Sequence, residues 1–162
     1  MELEARNDNC FSSHHVLKWE GQIVGSFQSN WFDENIQVSL LKQRHLEFRR
    51  TSWWTSEFML LDLVASRILS RASSVGWIMT RWSLSGANLA GDLEPLGIFR
   101  GGFQFISAGR KTAIVGGLGV VCQNGWLVMG EKPLDFEEML TIGLVYEIIL
   151  RRTRRRNHNT TS

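Results

Sequence analysis

The chain predicts a mainly β domain, a closed β-barrel of about twelve short strands enclosing a hydrophobic C-terminal α-helix. Three observations lead there. Short apolar or alternating runs recur along the chain, and most of the 15 glycines fall between them. From Met139 to Leu150 the residues read Met-Leu-Thr-Ile-Gly-Leu-Val-Tyr-Glu-Ile-Ile-Leu, apolar all round a helix rather than along one stripe. Such a helix must be enclosed by protein or by lipid. The run is 12 residues long and contains Glu147, whereas a bilayer span needs roughly 20 apolar residues. Enclosure by protein follows, and Tyr146 and Glu147 then need polar partners at the barrel wall or mouth.

In chain order, residues 1–13 read as a flexible, polar N-terminus. His15–Trp19 and Gln22–Gln28 flank Glu20-Gly21, a tight hairpin. Ile36–Leu41 and Leu46–Arg49 alternate as half-buried strands do, and Glu57–Asp62 is a compact apolar strand. The Thr51–Ser56 connection carries Trp53 and Trp54, whose rings are expected to cover a core edge. Val64–Leu69 and Trp77–Leu84 read as strands, and Gly86–Gly91 as a loop. Leu96–Arg100, Phe103–Ser107, Thr112–Val115, Val120–Gln123 and Trp126–Met129 complete the series. Asn124-Gly125 is the strongest hairpin signal, because both residues tolerate positive φ. Pro133 ends the strands. Asp135 is placed to cap a helix with Glu138 three residues on, so the helix is expected at about 135–152 and a disordered basic tail at 153–162.

Composition bounds the rest. The 162 residues match one domain, with 43% hydrophobic and 21% charged, the mix of a soluble globular protein. The 7 Trp and 9 Phe against 1 Tyr suggest a core built on large rings. Of 18 basic side chains, Arg151, Arg152, Arg154, Arg155 and Arg156 cluster at the C-terminus; without them 13 face 16 acidic ones, a body of about −3. The basic character therefore lies in a tail, which argues against an extended nucleic-acid surface. Cys10 and Cys122 form no CxxC or Cys/His cluster, and MELEARNDNC lacks the layout of a signal peptide. A reducing, cytoplasmic setting is expected, with at most peripheral membrane contact.

Two Gly-x-Phe segments (Gly25-Ser26-Phe27 and Gly97-Ile98-Phe99), Phe48-Arg49-Arg50 ahead of Trp53-Trp54, and a terminal helix ending in Arg151-Arg152 together resemble the tubby C-terminal-like superfamily. Its relatives include LURP-one-related proteins and phospholipid scramblases. The resemblance covers roughly residues 14–152 and implies a twelve-stranded closed barrel with the hydrophobic helix along its axis. It also implies recognition of a lipid or protein partner, since tubby domains bind phosphoinositide headgroups through basic side chains. No tubby phosphoinositide motif can be placed on these residues, and no transmembrane span is expected.

Candidate sites follow from charge. Arg151, Arg152, Arg154, Arg155 and Arg156 suit an anionic lipid, at roughly 1 kcal/mol per charge near an acidic membrane, or else form a solvated tail that complements the helix dipole. Arg49-Arg50 and Arg110-Lys111 are further anion-site candidates, although alternation leaves one of each pair per face. Gly116-Gly117-Leu118-Gly119 and Gly109-Arg110-Lys111-Thr112 lack phosphate-loop spacing and read as turns and bulges. His14, His15, His45 and Cys10 are poorly arranged for one metal ion, because adjacent strand residues face opposite ways. No GxSxG or HExxH is present, so a non-enzymatic binding or scaffold domain without a cofactor is expected. Its partner would be an anionic phospholipid or a protein, and peripheral membrane association is the alternative reading.

Overall fold

The computed structural model describes residues 1–7, 13–29, 33–75, 81–97, 101–119, 125–131 and 133–159. Within them lie strands β1 (Glu2–Arg6), β2 (His14–Trp19), β3 (Gln22–Gln28), β4 (Ile36–Leu40), β5 (Arg44–Arg50), β6 (Glu57–Asp62), β7 (Arg67–Val75), β8 (Arg81–Gly86), β9 (Ala90–Pro95), β10 (Gly102–Ser107), β11 (Arg110–Gly117) and β12 (Gly125–Gly130), and helix α1 (Phe136–Asn159). Each strand pairs antiparallel with its neighbour in sequence, and β1 pairs with β12 to close the barrel. Closure leaves no strand edge to be protected.

The strands alternate inward and outward. In β1, Leu3 and Ala5 are fully buried while Glu2 and Arg6 face out; in β4, Ile36 and Val38 face in and Gln37 and Ser39 out. The inward rings of Phe48, Phe58 and Trp82 stack around one wall, at 5.2 and 5.9 Å between successive centroids. Inside them runs α1. Every residue from Glu138 to Ile148 is buried, so the helix that is apolar all round is enclosed by the barrel. At about 1.5 Å per residue its 24 residues span about 36 Å, longer than the strands, and its last turns, from Thr153, range from half-buried to exposed.

Both helix ends are tied to the wall. The Asp135 N–H donates to Glu138 Oε2 and the Glu138 N–H to Asp135 Oδ1, each at 3.0 Å, a reciprocal capping box. Glu138 Oε1 also accepts the Asn88 N–H of the β8–β9 turn. The Arg44 guanidinium bridges Asp62 at 2.8 Å and Glu137 at 2.6 Å, joining two hairpin tips to the helix start. Farther along, Ser70 and Thr141 share a buried hydrogen bond of 2.5 Å. Tyr146 Oη donates to the Gly101 carbonyl at 3.0 Å, and Arg151 Nε to Glu147 at 3.1 Å, the two polar partners the enclosed helix requires.

Several expectations are corrected. Residues 2–6 are not part of a flexible N-terminus but the strand that closes the barrel; residues 8–12 lie outside the described residues. The C-terminal segment is not a disordered tail from residue 153, because α1 continues to Asn159. The strand expected at Val64–Leu69 begins at Arg67. Asp62 Oδ1 accepts the N–H groups of Val64 and Ala65 at 3.1 and 2.9 Å, which wraps residues 63–66 into a turn. The Gly86–Gly91 loop is narrower, since β8 reaches Gly86 and β9 starts at Ala90; β9 ends at Pro95 rather than beginning at Leu96. Asn124 and the strand expected at Val120–Gln123 lie outside the described residues, as do residues 98–100 of the strand expected at Leu96–Arg100 and 77–80 of that expected at Trp77–Leu84. Gly125, expected in a tight turn, is instead the first residue of β12 and pairs with Arg6 of β1. Gly125 is required by a close approach: a Cβ there would collide with the Ala5 carbonyl of β1.

Gly143 sits in mid-helix, where glycine is disfavoured by about 1 kcal/mol relative to alanine. The Trp126 indole lies against it, and a Cβ would strike the ring. Gly143→Ala is therefore expected to lower the unfolding free energy by about 1–3 kcal/mol despite the better helix propensity. Denaturant titration checks this, and the cost of Gly143→Ala should be smaller when measured in a Trp126→Leu background, although Trp126→Leu is itself destabilising.

Candidate functional site

The antiparallel meander puts the β2–β3, β4–β5, β6–β7, β8–β9 and β10–β11 turns at the rim where α1 enters, and residues 33–35, the β5–β6 loop and Gly101 at the rim where it leaves. The sequence-predicted cations divide between these rims. Arg110 and Lys111 are exposed on the β10–β11 tip at the entry rim, where Ala108 and Gly109 take positive φ. Arg49, Arg50 and the helix arginines are at the exit rim. No single site unites all nine residues.

At the exit rim the arginines differ in role. Arg49 is exposed on the outer face of β5, 3.7 Å from Glu47. Arg50 donates from Nε to the Thr55 carbonyl at 2.6 Å and lies 3.5 Å from Glu34. Arg151, expected in a solvated tail, is buried: it pairs with Glu147 and donates from Nη1 to the Asp33 carbonyl at 3.1 Å. Arg152 grips both oxygens of Glu34, Nε at 2.7 Å and Nη2 at 2.8 Å, and reaches Ser56 Oγ at 3.4 Å. Its guanidinium also lies 5.6 Å from the centroids of Phe58 and Trp82. Arg151 and Arg152 therefore anchor the 33–35 segment and the β5–β6 loop to the helix. Arg154 and Arg155 are half-buried and Arg156 is exposed, all on the last turns of α1.

Between those anchors stands the feature that sequence reasoning misplaced. Trp53 and Trp54 do not cover a core edge: they are 70% and 76% exposed, and their rings stack at 3.4 Å between centroids. The loop is fixed at Thr55 by Arg50 and at Ser56 by Arg152, so the aromatic pair is carried beside the arginines. Thr-Ser-Trp-Trp-Thr-Ser held a signal for this. Adjacent rings in a polar hairpin loop have no alternating apolar partners to pack on. Trp82 and Trp126 are core residues, while Trp31 and Trp77 lie outside the described residues.

Other candidates do not converge. His15 points into the barrel and stacks on Phe27 at 4.5 Å, whereas His14 and His45 are exposed or nearly so on other faces. Burial pushes the His15 imidazole below its ordinary value, with Glu147 opposing. Cys10 lies outside the described residues, among which no group of three or more His, Cys, Asp or Glu side chains is placed to hold a metal ion. Gly116 and Gly117 belong to β11, and Gly109 to a hairpin turn, so neither run forms a phosphate-binding loop. Among the described residues no helix is long and apolar enough to cross a membrane. Compared with known proteins, the chain matches no family profile, no curated sequence and no solved structure.

Glu34 gives this rim a measurable signature. Burial pulls its carboxyl upward, but hydrogen bonding and charge from Arg152, with Arg50 and Arg155 behind, outweigh it and hold the group below the ordinary carboxylate value. A depressed folded pKa stabilises the fold fully above the unfolded value of about 4.5, and that contribution is lost as pH falls through the folded one. Glu34→Gln should cost about 1–3 kcal/mol at neutral pH and lose less stability than the parent between neutral pH and the acid limb. Urea midpoints across that range check both.

Proposed function

We propose that the chain is a non-enzymatic binding module, a tubby-like barrel that docks peripherally on an anionic membrane surface through its exit rim. It is expected to work in the cytoplasm, on a phospholipid face. The observation that carries the reading is the exposed, stacked Trp53–Trp54 pair held next to the arginine-bearing end of α1. Indole rings partition to the headgroup level of a bilayer, and guanidinium groups nearby are attracted to its negative surface. A rigid barrel holds both in place before contact, so little conformational entropy is lost on binding.

The arginines have separate tasks in this reading. Arg151 and Arg152 build the rim, while Arg154, Arg155 and Arg156 add charge from the last turns of α1. Arg49, on the outer face of β5, adds to them. Arg110 and Lys111 stand at the opposite rim and take no part. A protein partner recognised by the same aromatic pair is the competing reading, and it predicts no flotation with either kind of vesicle.

Flotation with phosphatidylserine-containing and pure phosphatidylcholine vesicles, at low and moderate salt, separates the two. Selective, salt-sensitive binding to the anionic vesicles is expected. Arg154→Gln with Arg155→Gln and Arg156→Gln should weaken it roughly a hundredfold, at about 1 kcal/mol per charge. Trp53→Ser with Trp54→Ser should reduce binding to both lipid mixtures without lowering stability, because both rings are exposed. Equal flotation of parent and arginine variants, or none by the parent, contradicts the proposal. Removal of residues 151–162 is a poorer test, because it also cuts the Arg151 and Arg152 anchors.

A further inference from the structure

At the entry rim three neighbouring hairpin tips stand apart. The β2–β3, β4–β5 and β6–β7 tips, together with Phe136 at the start of α1, enclose a groove of about 730 Å³, within the usual range for small-molecule pockets. Trp19 and Phe136 meet edge to face inside it, at 5.5 Å between centroids. Ile23, Leu41 and Val64 rise around it, one from each tip, and are 58%, 61% and 69% exposed. Three large apolar side chains held in water on adjacent tips form an uncovered patch of the kind that marks a binding site.

Two cations, Arg44 and Lys42, and one carboxylate, Asp62, line the groove; Asp62 and Glu137 balance the charge of Arg44, so Lys42 is the cation left without an ion pair among the described residues. The Asp62 carboxylate is already used, accepting from Val64 N, Ala65 N and Arg44 Nε. Arg44 is held by Asp62 and Glu137 through Nε and Nη1, and among the described residues its Nη2 has no partner. Its remaining N–H donors are thus fixed in direction on a side chain that lines the groove. Lys42 adds a second cation, and Gln22 and Gln43 add amides. The turn that presents Lys42 and Gln43 is itself strained: their φ values are +63° and +59°, where Asn-Gly would sit at ease. Glu20, Ser66 and Ala108 take positive φ at other tips as well, but only at this tip do two consecutive non-glycine residues do so.

We infer that this groove binds an amphipathic carboxylate, with an acyl chain along Trp19, Ile23, Leu41 and Val64 and the carboxylate between Arg44 and Lys42. Lys42 supplies the charge for such a head group, and the N–H groups of Arg44 that face neither Asp62 nor Glu137 supply a hydrogen bond of fixed direction. The apolar walls supply affinity and the cations supply choice of head group. The site is at the rim opposite Trp53 and Trp54, and it stands or falls independently of membrane docking.

Isothermal titration of the full chain with monomeric dodecanoate, dodecanol and dodecyltrimethylammonium, in the absence of vesicles, tests it. Saturable one-to-one binding of dodecanoate is expected, at least roughly tenfold tighter than either other probe. Ile23→Asp and Leu41→Asp should abolish it, and both residues are exposed, so the fold is retained. Lys42→Glu should weaken dodecanoate and favour the ammonium probe. Lys42→Asn with Gln43→Gly should raise the thermal midpoint while weakening binding, a split that a purely structural turn would not give. Equal affinity for all three head groups, binding untouched by the Ile23 and Leu41 variants, or no saturable binding overturns the inference. So does self-association that occludes the groove.

Discussion

A barrel of about eight strands can be filled by the side chains of its own wall, and a twelve-stranded one is too wide for that. The interior must be occupied by something apolar on every side, and α1 is that element. Burial without a break from Glu138 to Ile148 follows from this geometry rather than from any preference of the helix itself. Packing against the wall also explains the oddities of the helix sequence. Gly143 is there because Trp126 needs its space, and Thr141 because Ser70 faces it across the interior. The four polar residues of the buried stretch, Glu138, Thr141, Tyr146 and Glu147, each meet a hydrogen-bonding partner, as groups removed from water must.

The same helix organises the two rims. Where it enters, its acidic first turn is tied through Arg44 to Asp62 and through Glu138 to the β8–β9 turn. Where it leaves, its arginines reach out to the 33–35 segment and the β5–β6 loop. Loops that would otherwise be independent are thus fastened to one rod, and the two ends acquire different chemistry. One end shows aromatic rings beside guanidinium groups, and the other an apolar groove lined by Lys42 and Arg44.

What was legible in the sequence is what local pattern encodes. The helix start was readable because a capping box needs only Asp135 and Glu138 at the right spacing, and its enclosure because apolar residues fall on every face. Most strands were readable from alternation. β1 was not, because Glu-Leu-Glu-Ala-Arg hides two inward residues among three charged ones and reads as a polar terminus. The helix end was overlooked for a related reason: a run of arginines resembles a solvated tail unless acidic partners such as Glu34 and Glu147 are known to wait beside it. The division of cations between rims, and the meeting of three hairpin tips around one groove, are properties of topology. No spacing along the chain announces them.

The most direct test of this account is native-state hydrogen exchange on the intact protein. If α1 is the core of the barrel, the amides of residues 139–148 can exchange only when the barrel opens. Their protection should then match the most protected strand amides and track global stability with added denaturant. Exchange of these helix amides through a lower-energy opening, while the strands remain protected, would show that the barrel stands without its helix and would contradict the account.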